Sequence, residues 1–160
     1  MPLGHLGLNV PDLTTARVYY GRLMPSLGYA SFPLARNASG EIDQLAYRPA
    51  DGRTGTYLFF YPATEPGAAE STEPGADRPQ PHDAPGARDG ASAAPGLQHL
   101  AFIVPTRSEV RAVHQLVRDL GSTVVHEPQS FPQYPPPYYA TFWLDPFGVM
   151  LEAVCHHDRD

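Results

Sequence analysis

The sequence has little of several features that would direct it to particular functions. Cys155 is its only cysteine, which excludes an internal disulfide and a zinc site built from cysteines, and suits a reducing compartment. Acidic residues outnumber basic ones, 17 to 11, for a formal net charge of −6, so we expect no nucleic-acid partner. The amino terminus has neither a cationic stretch nor a long apolar run, so we expect no signal peptide, no membrane partner and a cytoplasmic location.

One long stretch lacks the residues that form a core. Residues 62–96 contain no Val, Ile, Leu, Met, Phe, Tyr or Trp, although the whole chain is 42% hydrophobic. Such a segment cannot bury enough apolar surface to offset the entropy lost on ordering. We interpret it as a flexible linker between two halves, with a mobile flap over a site as the alternative.

The two halves have the same predicted order of elements. In the first half, a helix begins at Asp12 or Thr14, follows a strand over 3–10 and ends at Gly28. In the second, a helix begins at the capping box Thr106-Arg-Ser-Glu and ends at Gly121. The other strands are expected over 29–35, 41–48, 56–61, 97–104, 122–127, 138–144 and 149–155. We therefore predict an α+β fold with a βαβββ module over 1–61, the linker, a second βαβββ module over 97–155 and a polar tail over 156–160.

A short pattern at the first strand occurs in both halves. It is Gly-His-Leu-Gly-Leu-Asn-Val-Pro from residue 4 and Gln-His-Leu-Ala-Phe-Ile-Val-Pro from residue 98, so His5 and His99 hold equivalent places. Because strand side chains alternate between faces, both histidines should point away from the helices. Glu152 stands in the apolar final strand, where an unpaired carboxylate would be costly to bury.

Together these motifs resemble the vicinal oxygen chelate superfamily, which includes glyoxalase I, extradiol dioxygenases, fosfomycin-resistance enzymes and bleomycin-binding proteins. The motifs are the two histidine strands, a Tyr-Tyr pair, Leu27-Gly-Tyr, and Asp145-Pro-Phe-Gly-Val-Met-Leu-Glu. The resemblance implies paired modules whose curled mixed sheets enclose a cavity, with a divalent metal held by His5, His99 and Glu152. Such a ligand set leaves positions open for substrate or dioxygen.

The sequence also departs from particular branches of that superfamily. Superposing the last glycines of the two final turns puts Phe59 where glyoxalase I-like members have a fourth, acidic ligand. Phe142 stands ten residues before Glu152, where extradiol dioxygenases typically have a tyrosine. Bleomycin-binding members generally lack the metal ligands, so retention of all three favours an enzyme.

Aromatic residues suggest what the cavity holds. Tyr57, Phe59 and Tyr61 should share one strand face and form a wall for a flat substrate, or else fill the sheet interface. A proline-rich loop follows in the second half, and its Tyr134, Tyr138 or Tyr139 could offer a hydroxyl to the substrate, although the loop is more simply a stiff polyproline segment. We expect the other histidines to stay outside the cavity, with His82 in the linker, His114 on the polar face of its helix, His126 at the end of a strand, and His156 and His157 in the polar tail.

The resulting hypothesis is a metal-dependent enzyme. Fe²⁺, Mn²⁺, Ni²⁺ or Zn²⁺ would bind at His5, His99 and Glu152, with Glu152 and Tyr139 acting in catalysis and Tyr57, Phe59, Tyr61, Tyr134 and Tyr138 lining the pocket. The reaction would be that of a glyoxalase-like lyase or isomerase or of a dioxygenase, on a small planar or aromatic substrate with vicinal oxygens. The alternative is a binding protein that sequesters an aromatic natural product. The resemblance also implies a homodimer.

Overall fold

The computed structural model describes residues 3–32, 43–63 and 97–160. The predicted linker lies almost wholly outside these residues, as does His82, the end of the strand expected over 29–35 and the start of that expected over 41–48. The chain divides into two compact units, Met1–Gly67 and Ala68–Asp160, each with its own sheet. No helix among the described residues is long and apolar enough to cross a membrane.

The amino-terminal unit contains one helix and a four-stranded mixed sheet. Its elements are β1 (His5–Val10), α1 (Leu13–Ser26), β2 (Tyr29–Ser31), β3 (Leu45–Pro49) and β4 (Tyr57–Pro62). The strand order is β1-β4-β3-β2, with β1 parallel to β4 and the other pairs antiparallel. Helix α1 packs on β2, β3 and β4.

The carboxy-terminal unit repeats this arrangement. Its elements are β5 (Leu100–Ile103), α2 (Arg107–Asp119), β6 (Thr123–Ser130), β7 (Tyr139–Leu144) and β8 (Met150–Cys155). The strand order is β5-β8-β7-β6, and again only the first pair is parallel. The prediction of two βαβββ modules, each with a mixed sheet, is confirmed.

Local sequence explains where the helices begin and end. The Asp12 carboxylate accepts hydrogen bonds from the backbone of Thr14 at 2.8 Å and of Thr15 at 3.2 Å, and so caps α1. At α2, the Thr106 hydroxyl and the Glu109 carboxylate each accept a hydrogen bond from the other's backbone N–H, which forms the predicted capping box. Gly28 and Gly121 follow the helices at φ of 79°, a conformation that glycine adopts without steric cost.

Each sheet has one face covered by its helix and one face that can hold a site. In the carboxy-terminal unit, Trp143 and Leu151 lie on the helix side and are fully buried. The opposite side carries an apolar cluster formed by Phe131, Ala140, Phe142, Met150 and Val154. Glu152 lies on the same side as this cluster.

One expectation about α2 is wrong. His114 is buried, with 8% of its surface exposed, although it was placed on the polar face of the helix. Its Nδ1 lies 3.4 Å from the Thr141 hydroxyl on β7, and its Nε2 lies 3.3 Å from Glu127 on β6. The buried face of α2 therefore includes His114 beside Val110, Val113 and Val117.

The strand registers show that the two modules are equivalent at the proposed ligand positions. On β1, Gly7 pairs with Phe59 of β4, and on β5, Ala101 pairs with Glu152 of β8. Gly7 and Ala101 each come two residues after the repeated histidine. Phe59 is therefore the counterpart of Glu152, as the superposed turns predicted.

Candidate metal and ligand site

A buried acid and a histidine form the centre of the candidate site. His99 immediately precedes β5, and its Nε2 lies 3.0 Å from Oε2 of Glu152 on the neighbouring strand β8. The Glu152 side chain is fully buried, whereas a third of the His99 side chain is exposed. Despite the short distance, no donor in the part of the chain that the structure describes is aligned for a hydrogen bond to Oε2.

The remaining polar atoms of the pair are occupied. Tyr138 donates its hydroxyl to Glu152 Oε1 at 2.6 Å. On the other side of the imidazole, His99 Nδ1 contacts the side-chain oxygen of Gln98. In the tautomer whose Nδ1–H donates to this amide oxygen, Nε2 presents a lone pair. In that tautomer, two lone pairs, on His99 Nε2 and Glu152 Oε2, face each other at 3.0 Å, an arrangement that a cation between them would stabilise.

Burial makes the charged form of this acid costly. It raises the pKa of the Glu152 carboxyl above its ordinary value of 4.5, while the hydrogen bond from Tyr138 and the nearby His99 and His156 oppose the rise. The pKa of the Tyr138 hydroxyl is also raised, chiefly by burial and then by its hydrogen bond to Glu152. Tyr138 therefore stays protonated and is a stable donor to the acid.

The pair fits a divalent cation. Two ligands that are ~2.1 Å from one cation and ~90° apart are roughly 3 Å from each other. The Nε2 to Oε2 distance of 3.0 Å has this value. Hydrogen bonding of a ligating histidine through its other nitrogen, and of a ligating carboxylate through its other oxygen, is the usual support of a metal site. Among residues 3–32, 43–63 and 97–160, no group of three or more His, Cys, Asp or Glu lies close enough together to hold a metal ion.

A cavity of about 320 Å³ opens beside this pair. Its apolar lining consists of Phe131, Tyr134, Phe142 and Met150. The polar lining comes from Gln98, His99, Gln133 and His126. This volume lies at the lower end of the range for small-molecule sites, and the mixture of aromatic walls with a few polar groups is typical of them.

His126 lines this cavity, contrary to the expectation that it would not reach it. The pairing of β6 with β7 shifts register between Val124 and His126 and again between His126 and Gln129. Such bulges redirect side chains and are common beside functional sites. Here the imidazole packs edge to face against Phe131 at 5.6 Å and Phe142 at 5.5 Å between ring centroids.

The predicted loop residues have three different places. Tyr134 lines the cavity and Tyr138 holds Glu152. Tyr139, the predicted catalytic tyrosine, lies one residue further along and donates its hydroxyl to the backbone oxygen of Pro128 at 3.3 Å, with the Arg107 guanidinium over its ring. Its role in catalysis stays a prediction.

The other predicted residues belong to the amino-terminal unit. His5 is exposed on β1, and its ring packs edge to face on Phe59 at 5.8 Å. Tyr57, Phe59 and Tyr61 share one face of β4, opposite the buried Leu58 and Phe60, and Phe59 and Tyr61 are nearly parallel at 6.2 Å. The shared aromatic face is as the alternation indicated. Its contribution to a substrate pocket and the role of His5 as a ligand stay predictions.

The two histidines of the polar tail, His156 and His157, are exposed, as expected. His156 nevertheless packs against Tyr138, with ring centroids 5.0 Å apart.

The sequence contains the information needed to predict which of the two neighbouring tyrosines, Tyr138 or Tyr139, reaches Glu152. The turn at 145–148 sets Phe142 opposite Glu152, and alternation then puts Tyr138 on the Phe142 side and Tyr139 on the other.

Two βαβββ modules, each with a four-stranded mixed sheet whose first strand is parallel to its last, define the class of fold. A family model for the Glyoxalase/Bleomycin resistance protein/Dioxygenase superfamily matches residues 3–153. The chain belongs to this superfamily. A search of curated proteins finds no match.

Solved structures share the fold. A Bacillus halodurans protein is 23% identical with a TM-score of 0.64, covering 96% of this chain and 94% of its own. A glyoxalase/dioxygenase from Nostoc punctiforme is 20% identical with a TM-score of 0.63, covering 98% and 91%. A glyoxalase/bleomycin resistance protein from Albidiferax ferrireducens is 18% identical with a TM-score of 0.59, covering 96% and 98%. These likenesses concern the fold alone.

Proposed function

We propose that the protein is a metal-dependent enzyme in which His99 and Glu152, with His5 as the third ligand, hold a divalent cation. The observation that carries the proposal is the 3.0 Å approach of His99 Nε2 to Glu152 Oε2, since these two lone-pair donors lack an aligned hydrogen bond. Fe²⁺, Mn²⁺, Ni²⁺ and Zn²⁺ all accept imidazole and carboxylate ligands.

Residues around the pair have separate tasks in this proposal. Gln98 fixes the imidazole tautomer that exposes Nε2, and Tyr138 occupies Glu152 Oε1 so that Oε2 is the ligating oxygen. The bound cation would polarise two neighbouring oxygens of the substrate as a Lewis acid. The aromatic walls at Phe131, Tyr134 and Phe142 exclude water from the bound substrate.

The substrate proposed here is small and planar or aromatic, with two vicinal oxygens. Family membership supports chemistry of the glyoxalase-like lyase or isomerase kind, or of the dioxygenase kind. Uptake of oxygen on catechols by anaerobically purified, iron-loaded protein would favour the dioxygenase. If no oxygen is taken up and the protein instead converts a hemithioacetal to an α-hydroxy thioester, the lyase or isomerase would be favoured.

The metal proposal is tested by elemental analysis. Chelator-treated wild-type protein is incubated with each of the four metals, desalted and analysed beside His5→Ala, His99→Ala, Glu152→Ala and the matched control His157→Ala, whose exposed side chain lies outside the site. We expect about one metal per chain in wild type and the control, and a large loss in the other three. Equal and small metal contents in all five proteins would refute the proposal.

The second candidate is a protein that sequesters an aromatic ligand without chemistry, and the aromatic cavity is the observation in its favour. It predicts tight ligand binding that neither chelator nor Glu152→Ala weakens. Ligand binding lost with the metal would exclude it.

A further inference from the structure

The residue that follows the last strand lies against the tyrosine that donates to Glu152. In the pairing of β7 with β8, Tyr139 stands opposite Cys155, and the antiparallel register continued by one residue sets Tyr138 opposite His156. The ring centroids of these last two are 5.0 Å apart and their planes are nearly perpendicular, at 82°. This edge-to-face arrangement is one that aromatic pairs prefer. His156 therefore packs on Tyr138 although the residue itself is exposed.

The direction of the Tyr138 hydroxyl depends on the rings around it. The hydroxyl donates to Glu152 Oε1 at 2.6 Å, and the residue itself lies one position before β7 begins. Phe131 and Tyr134, which belong to the same loop, pack on its ring at centroid distances of 6.1 Å and 4.7 Å. His156 is different, because it is joined directly to β8, the strand that carries the acid. It is the ring that ties the donor to the strand of its acceptor.

The polar tail is attached to the start of α2. The backbone N–H of Arg107 donates to the backbone oxygen of Arg159 at 3.0 Å. Two ion pairs join the same segments, Arg107 with Asp158 at 2.5 Å and Arg111 with Asp160 at 2.6 Å. One exposed ion pair contributes little, but three contacts within three tail residues restrict the path of the chain. The first imidazole of the tail is thus held by β8 on one side and by these contacts on the other.

We propose that His156 is a positioning residue of the metal site, whose imidazole edge holds the Tyr138 ring so that its hydroxyl stays on Glu152 Oε1. The tail contacts with α2 keep the imidazole in place. With Oε1 occupied, Oε2 is the oxygen that faces His99. The use of Oε2 by a metal rests on the proposed function, but the ring contact and the hydrogen bond exist without metal.

NMR of the full-length, chelator-treated protein, labelled with ¹³C at the tyrosine Cζ position, tests the hydrogen bond. The shift of this carbon responds to the hydrogen bonding of the hydroxyl, and the Tyr138 signal is the one that Tyr138→Phe removes. In His156→Ala we expect it to move towards its position in the urea-unfolded protein. His156→Phe keeps an aromatic edge and should retain the wild-type shift. So should the control His157→Ala, in the exposed tail.

Two outcomes of this comparison would overturn the proposal. One is an unmoved Tyr138 signal in folded His156→Ala. The other is an equal displacement in His156→Phe, which would mean that packing of the ring is not what matters.

A double-mutant cycle on Mn²⁺ affinity, measured by calorimetric titration, tests whether His156 acts through Tyr138. Alone, His156→Ala should weaken Mn²⁺ binding by roughly 3- to 10-fold, as the loss of one aromatic contact implies. In the Tyr138→Phe background the same change should have almost no further effect, since the hydroxyl that it positions is gone. Equal losses in both backgrounds would overturn the action through Tyr138.

Failure of this inference and failure of the proposed function give different results. If wild type binds no Mn²⁺, the proposed function fails, and the metal-free NMR comparison still decides the role of His156. If Mn²⁺ binds but the Tyr138 signal does not move in His156→Ala, only this inference fails.

Discussion

At the scale of single residues, the site depends on which atoms of Glu152 contact Tyr138 and which contact His99. Glu152 is fully buried in an apolar strand, a placement that is costly for a carboxylate unless its oxygens are satisfied. Tyr138 donates a hydrogen bond to one oxygen, and His99 Nε2 lies 3.0 Å from the other. The same residues that pair with the acid in the metal-free protein would support a cation bound between His99 and Glu152.

Tyr138→Phe should weaken divalent-metal binding. Loss of its hydroxyl leaves Glu152 Oε1 without a donor, and removing such support typically costs 10- to 100-fold in metal affinity. Calorimetric titration of chelator-treated protein with Mn²⁺ measures this, with Tyr139→Phe as the neighbouring control, since that hydroxyl contacts the Pro128 backbone and Arg111 instead of Glu152. Equal affinity in both variants would show that Tyr138 does not position Glu152.

Glu152→Gln should stabilise the metal-free protein at alkaline pH. Because burial raises the folded-state pKa of Glu152, the stability of wild type falls as pH rises from the unfolded value of about 4.5 through the folded value. The amide has no such dependence, so the variant should be more stable than wild type above that window and match it below. Urea unfolding at pH 4 and pH 8 measures the gap, and a gap independent of pH would contradict the raised pKa.

At the scale of helices and strands, the alternation of apolar residues and the capping residues predicted most of the helices and strands. They did not predict which tyrosine contacts Glu152 or where His126 and His114 lie. Periodicity placed His99 and Glu152 away from the helix, and the two turns correctly equated Phe59 with Glu152. Tyr138 and Tyr139 are neighbours in the sequence, so their side chains point to opposite faces of the sheet. An error of one residue was therefore enough to select Tyr139 in place of Tyr138 as the tyrosine beside Glu152. The bulges around His126 and the burial of His114 depend on how β6 and α2 pack, which no local pattern encodes.

The cap of α1 gives a pH-dependent prediction. Hydrogen bonds from the Thr15 side chain and the Thr14 backbone hold the pKa of the Asp12 carboxyl below its ordinary value of 3.8. The cap therefore contributes its full stability above that value and loses it as pH falls through the lower folded-state pKa. Asp12→Ala should lower Tm by a few degrees at neutral pH and by less in strong acid.

Thermal melts followed by circular dichroism from pH 7 to pH 2.5 test this cap. Asp12→Asn is the matched control, because asparagine caps helices as well as aspartate but does not titrate. Its Tm should stay close to that of wild type at neutral pH. A deficit of Asp12→Ala that is the same at every pH would show that ionisation of Asp12 contributes nothing.

At the scale of the whole molecule, a duplicated module has become unequal. Both units keep the βαβββ order, and both keep a histidine at the first strand. The carboxy-terminal unit alone has an acid at the matching place on its last strand, where the amino-terminal unit has Phe59. The proposed function therefore needs one metal site in the chain instead of two equivalent ones.

Metal should stabilise the folded chain as a ligand that binds only the native state. At a free concentration 100 times the dissociation constant, Mn²⁺ should add ~2.7 kcal/mol to the free energy of unfolding. In Glu152→Gln this gain should vanish, so that metal reverses the order of stability of the two proteins. Equal stabilisation of both proteins by Mn²⁺ would mean that the ion binds elsewhere.

The central claim is most directly tested by a crystal structure of the Zn²⁺-loaded protein with anomalous diffraction at the zinc edge. The account predicts one anomalous peak per chain, within about 2.3 Å of His99 Nε2 and Glu152 Oε2 and coordinated by an imidazole nitrogen of His5. A peak at other residues, or none at this pair in protein that binds zinc in solution, would contradict it.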